Sequence, residues 1–247
     1  PLYVVDGVFM DNTATSAGLN AVTSAAAGGN ASTQDNPSSR IADLRAEDIE
    51  NIEILKGASA SAIYGSKAAA GVIIITTKRG KQGKTRISFS QDLGFAKVRK
   101  LLGTRPLSEQ VVQGQGWDVD EYKAAVAAGK IYNYEKEMYG NTAFLRNSVL
   151  SMTGGSDKTS FYFSAASKNE EGIVARTGYG NTSFRLNVDH RITDNIKIGI
   201  STNYVNSSSD RGLTGNDNNG VTYGIALSST PGFTELHPDA NGNYPRN

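Results

Sequence analysis

The chain has 247 residues, enough for one or two ordinary domains, and its 25 lysines and arginines nearly cancel its 24 acidic residues. A net charge of +1 gives no bulk attraction to nucleic acid or to an anionic membrane surface, and the absence of cysteine excludes disulfides and thiolate metal sites. No stretch approaches the ~20 apolar residues of a membrane helix, but a spanning β-barrel is compatible, because only alternate residues of its strands face lipid.

Pro1, not Met, opens the chain, so we expect either a removed leader or a piece of something longer. "PLYVVDG" predicts a short buried strand from Leu2 to Val5, stopped by an Asp-Gly turn. Residues 11–39 are rich in Ala, Gly, Ser, Thr and Asn with little periodicity and read as loop. Ala46 to Ile49 looks like one helical turn, and Asn51 to Leu55 alternates, with Ile52 and Ile54 on one face. An Ala-rich helix follows, which Ser59 and Ser61 are placed to cap and Gly71 to end. "VIIITT" (72–77) then reads as a central strand buried on both faces, completing a small α/β layer. In "GSKAAAG" Lys67 comes too early for a phosphate loop, so no nucleotide site is expected. "KRGKQGK" (78–84) is either a hinge between two units or an ordinary solvated turn.

Beyond Gly83 the period becomes two. Ile87, Phe89, Leu93 and Phe95 share one face, opposite Arg86, Ser88, Ser90 and Asp92. Phe184, Leu186, Val188 and Ile192 oppose a polar set that includes Arg185, Asp189 and Arg191. Ile196, Ile198, Ile200 and Tyr204 oppose Lys197, Gly199, Ser201 and Asn203. Five strands are predicted, near 84–96, 146–154, 158–168, 181–192 and 194–208. Short turns at 154–157 and 193–195 fall at one end of the meander. The longer links, of about 50 and about 12 residues and more than a dozen after the fifth strand, fall at the other. That asymmetry favours an outer-membrane barrel over a soluble β-sandwich, which alternation alone also describes. In a barrel, Arg185, Asp189, Arg191, Lys197 and Asn203 line a wet lumen; in a sandwich they meet solvent.

These stretches also resemble a known family. "PLYVVDG", "EDIENIEILKGASASAIYGSKAAAGVIIITTKRGKQGK", "SMTGGSDKTSFYFSAASKNEEGIV" and "FRLNVDHRITDNIKIG" are similar to the SusC/RagA branch of TonB-dependent outer-membrane transporters. The resemblance implies an α+β plug domain followed by antiparallel transmembrane β-barrel strands, an incomplete part of a barrel of roughly 22 strands. Residues 1–82 would be the C-terminal part of the plug, and 83–247 the N-terminal portion of the barrel with a long external loop at 97–144. It further implies a non-enzymatic importer of glycans or peptides in the outer membrane, with the plug gating the lumen and no cofactor. A SusD-like surface lipoprotein would cap it, and the TonB energising complex would act through a segment expected before Pro1. A fragment of this kind would not transport by itself. The competing reading is a soluble, carbohydrate-binding β-sandwich module.

Candidate sites are few. His190 and His237 have no metal-ligand spacing, and "DANGNY" (239–244) lacks the twelfth-position Glu of a calcium loop, so no metal is expected. The adjacent acid pairs Glu47-Asp48 and Glu170-Glu171 do not converge on a substrate and read as solvated charge. The 97–144 loop carries a helical stretch at 118–129 and the aromatics Trp117, Tyr122, Tyr132, Tyr134 and Tyr139. Trp117, Tyr132, Tyr134 and Tyr139 are the candidates for ligand or partner contact, with packing of the loop onto itself the favoured alternative.

Overall fold

The computed structural model describes residues 1–12, 39–56, 58–212 and 222–245 and, within 58–61, the side chain of Ala60 but not those of its neighbours. The loop expected over 11–39 lies almost wholly outside the described residues, as do the capping side chains of Ser59 and Ser61.

Two sheets form. The first has four strands: β1 (Leu2–Val5), β2 (Val8–Met10), β3 (Ile49–Leu55) and β4 (Val72–Thr77), in the order β2-β1-β4-β3. β2 is not among the predicted elements. It exists because Asp6 (φ 49°) and Gly7 (φ 86°) both take left-handed backbone, the two-residue turn that folds a strand straight back on itself. β4 is central, parallel to β1 and antiparallel to β3. Helix α1 (Ala58–Tyr64) is shorter than the Ala-rich run suggested. Gly65 (φ 75°) breaks it, and a 3-10 turn, Ser66–Ala68, carries the chain to β4. Val4, Ala60, Ala68 and Val72 form the buried centre, flanked by Leu2, Leu55, Tyr64 and Ile74. Small alanines let the helix lie close to the sheet. Two further 3-10 turns, Arg40–Asp43 and Ala46–Asp48, lead into β3.

The second sheet is an antiparallel meander of β5 (Gly83–Ala96), β6 (Ala143–Gly155), β7 (Thr159–Glu171), β8 (Gly178–Thr193) and β9 (Ile196–Asp210), paired in chain order. The strands run longer than expected at several ends. The β7–β8 link therefore spans only residues 172–177 instead of about 12, and β6 begins at Ala143, inside the loop expected to reach 144. Short turns at 156–158 and 194–195 still share one end, and the longer links share the other.

Register shows how alternation becomes two faces. On the outer face Ile87, Met152, Phe163 and Leu186 lie side by side across four strands, and Phe89, Leu150, Ala165, Phe184 and Tyr204 across five. Towards the long links the next row, Gln91, Ser148, Ser167, Thr182 and Asn206, is polar throughout, and beyond it the face is apolar only along β5 and β6, at Leu93, Phe95 and Phe144. Among the described residues no second layer covers this face; Ile87, Phe89, Ile198 and Ile200 are all at least half exposed. A sandwich would cover this face with a second sheet.

The long β5–β6 link holds three helices where one was expected: α2 (Glu109–Gly114), α3 (Val119–Ala127) and α4 (Tyr134–Tyr139). Ser108, Asp118 and Asn133 cap them, each accepting from backbone N–H groups of the first turn. A fifth helix, α5 (Tyr223–Ser229), belongs to the segment after β9.

Candidate functional site: the plug against the wall

The α/β unit sits against the polar face of the five-stranded sheet, and polar groups make the joint. Asp48 closes its 3-10 turn with the side chain directed into β7 and β8. It accepts from Ser164 Oγ at 2.6 Å and Tyr162 Oη at 3.0 Å, and its Oδ2 lies 3.5 Å from Arg185 Nε. Asp6, at the β1–β2 turn, faces the same guanidinium at 3.8 Å and accepts from the Thr77 amide (2.9 Å) and hydroxyl (2.6 Å). The Arg185 side chain is 3% exposed, so one cation is buried between two carboxylates. Such a cluster costs heavily to desolvate and holds only while every partner stays in place.

A second chain of bonds runs beside it. Asn187, fully buried, donates to Thr77 Oγ1 (3.3 Å) and Lys78 O (2.7 Å) and accepts from Ser201 Oγ (2.7 Å). Arg45 reaches Asn147 at 2.8 Å, and Ser207 donates to Asp43 at 3.1 Å. The α/β unit thus touches β6, β7, β8 and β9.

The stretch between the two units is held down along its length. Arg79 pairs with Asp189 (3.2 Å), the Lys81 amide donates to Thr153 Oγ1 (3.3 Å), and Gln82 reaches the Asp157 carbonyl (3.1 Å). A Cβ at Gly80 would stand 2.1 Å from the Phe161 amide nitrogen, so only glycine lets this segment lie on β7.

Above the joint, towards the long links, the two units enclose a cleft of about 1260 Å³. Arg40, Arg45, Glu47, Tyr179, Asn181 and Asn203 are among its walls. Arg45 Nε and Asn181 Oδ1 are buried without a hydrogen-bond partner among the described residues, Arg185 Nε has only its ion pair with Asp48, and all three side chains belong to the walls of this cleft. Its walls mix charges and amides, with Arg40 and Arg45 beside Glu47 and with Asn181 and Asn203.

Of the residues singled out for the lumen, Arg185 lies in the buried cluster, Asp189 holds Arg79, and Asn203 borders the cleft. Arg191 and Lys197 face each other across β8 and β9 beside the 194–195 turn, both exposed. The aromatics are dispersed. Trp117 and Tyr122 pack edge-on against Phe233, at 6.0 and 5.6 Å, around Val112 and Ala125. Tyr132 and Tyr134 bind the same segment through Glu235 and the Thr234 carbonyl, and Tyr139 is half-buried at the end of α4. Asp48 is the main correction: read as solvated charge, it is buried at the centre of the joint. Asp6, Thr77 and Asn187 carry no local signal that singles them out. Among the described residues no group of three or more His, Asp or Glu side chains is placed to hold a metal.

An α/β unit bonded to the polar face of a meander whose other face is bare and apolar defines a class, a plug seated against a barrel wall. The comparisons agree. Residues 1–72 match the family model of the TonB-dependent Receptor Plug Domain. The chain is 32% identical over 213 residues to TonB-dependent receptor P26 of Formosa agariphila, covering 81% of this chain and 20% of that protein. It is 28% identical over 218 residues to TonB-dependent receptor SusC of Bacteroides thetaiotaomicron, covering 87% and 20%. Among solved structures, the RagAB peptide importer in its closed-closed state superposes with a TM-score of 0.65 at 25% identity, over 99% of this chain and 28% of that one. The chain belongs to the SusC/RagA branch of the TonB-dependent receptors, and it spans about a fifth of the length of the curated relatives it matches.

Proposed function

We propose that this chain supplies plug and first wall strands to a receptor that imports glycans or peptides across the bacterial outer membrane, driven by TonB and capped by a SusD-like surface lipoprotein. The observation that carries the reading is the buried Asp6–Arg185–Asp48 cluster. It ties plug to wall with charges that water can take over when the two separate, as a gate requires. Ligand enters from the side of the long links and meets the cleft, whose charged and amide-bearing walls suit a polar cargo such as a sugar or a peptide backbone. The neighbour RagAB is a peptide importer, which supports the peptide arm of the proposal. Arg185, Asp189 and Asn203 act as lumen residues in this scheme, and Arg191 and Lys197 border the periplasmic turn.

The test is a reversible lock. In the complete receptor, with any cysteine outside these residues replaced, Asp48→Cys with Ser164→Cys introduces a thiol pair where the native side chains are 2.6 Å apart. Oxidation is expected to stop uptake and reductant to restore it. Uptake indifferent to the cross-link would show that plug and wall do not part here during transport, and the gating proposal would fall.

A further inference from the structure

The β5–β6 link and the segment after β9 meet beyond the sheet, and one imidazole bridges them at the rim of their apolar core. His237 Nδ1 lies 2.7 Å from Glu235 Oε1, and its Nε2 lies 2.9 Å from Glu137 Oε2 on α4. An ionised carboxylate only accepts hydrogen bonds, so a ring bonded to a carboxylate at each nitrogen carries a proton on both. In this arrangement His237 is the cation. The other titratable groups facing it are Tyr132, whose ring stands 4.7 Å from the imidazole, and Tyr134 at 5.8 Å. Tyr132 also donates to Glu235, and Lys130 approaches that carboxylate at 3.8 Å.

We propose that His237 is a protonation-operated fastener between two external links, closed while its ring is charged and released when it is neutral. A neutral imidazole has one N–H to give, and its other nitrogen turns a lone pair towards a carboxylate. The His237 amide still donates to Glu235 Oε1 at 3.0 Å and keeps that carboxylate beside Nδ1, so Glu137, on the other link, is the one let go. Release is local. The Tyr132 amide still donates to the Gly232 carbonyl (2.7 Å), Tyr134 still donates to Thr234 O (2.5 Å), and Phe233 remains in its apolar core. The segment loosens around His237 without leaving, since the Leu236 amide still donates to Tyr134 Oη at 3.0 Å.

The two carboxylates, Glu137 first and then Glu235, hold the imidazole above its ordinary 6.5. A raised folded-state value means that stabilisation is present below 6.5 and lost as pH rises through the raised one. Glu235 is held at about 2, chiefly by the Tyr132 hydroxyl and then by His237. Its contribution is present above the ordinary carboxylate value and fades as pH falls towards 2. The fastener is therefore tight in mild acid and gives way first on the alkaline side.

The molecule carries its own reporter. Trp117 is the sole tryptophan in the chain and borders one cleft with Thr234 and Leu236, the residues that lead directly into His237. The full chain in detergent micelles is titrated from about pH 5.5 to about pH 9, following tryptophan emission, acrylamide quenching and circular dichroism. The expected result is a reversible one-proton transition centred above 6.5, with quenching greater at high pH and the β-sheet signal unchanged. His237→Gln abolishes the transition and leaves emission at the high-pH level. Glu137→Gln keeps the transition but lowers its midpoint, which covers the case in which the first variant disturbs folding. Only one other histidine exists, so His190→Gln must leave the curve intact. A flat wild-type titration, a transition that survives His237→Gln, or one that vanishes in His190→Gln overturns the proposal.

Discussion

The joint between plug and wall and the joint between the two external links are built from opposite materials. The first is polar at its centre: a guanidinium between two carboxylates, with hydroxyls and amides around it. The second is apolar at its centre, with Val112, Ala125 and Phe233 buried and Trp117 and Tyr122 packed edge-on against Phe233, while its charges sit at the rim. Parting the polar joint hands water groups that it solvates well. Parting the apolar one exposes hydrocarbon, at about 25 cal/mol for each Å². A contact meant to open and close is served by the first chemistry. One meant to stay shut, with adjustment at its edge, is served by the second.

Substitutions that strike one joint and spare the other test this contrast. The largest effect is expected from Arg185→Met, which leaves Asp6 and Asp48 buried without their counter-charge. Removal of one partner from a buried pair costs about 3–5 kcal/mol. Denaturant unfolding and protease cleavage of the plug are expected to show the loss, while the Trp117 emission of the outer joint stays at its wild-type maximum. Phe233→Ala is the mirror case. Truncating a buried phenylalanine costs about 3 kcal/mol, and here Trp117 becomes exposed while plug protection holds. Should either variant move both readouts, the two joints are coupled and the contrast fails. The smallest effect is expected from Asp118→Ala, which removes the side chain that accepts from the Asp120 and Glu121 amides at the start of α3. Loss of such a cap costs about 1 kcal/mol, read as a slight gain in Trp117 quenching.

What could be foreseen from the chain alone divides along the same line. The two faces of the wall were legible because alternation is local: Phe184, Leu186 and Val188 declare their side by spacing. The Asp-Gly turn and the Ile-rich strand were legible for the same reason. The partners of those faces were not. Asp48 and Arg185 stand 137 positions apart, and nothing near Asp48 says that its turn points inward, so it resembles any surface acid. Trp117 and Tyr122 were recognised as aromatics of one loop. Their partner Phe233 lies beyond four intervening strands, out of reach of any pattern read in a window. The helical count in that loop was low because α2 and α4 have six residues each, too short for a period to emerge.

The glycine pressed against the backbone of β7 has a mechanical consequence. With Arg79, Lys81 and Gln82 fastened on either side of it, the carboxyl end of the plug is a fulcrum, not a tether. A body pivoted at one point moves least beside the pivot and most at the end of the longest arm. Thr77, next to the pivot and bonded to Asn187 of the wall, would therefore shift little in any swing of the plug, while the 40–45 turn, which meets the wall farther along β9 at Ser207, would move more.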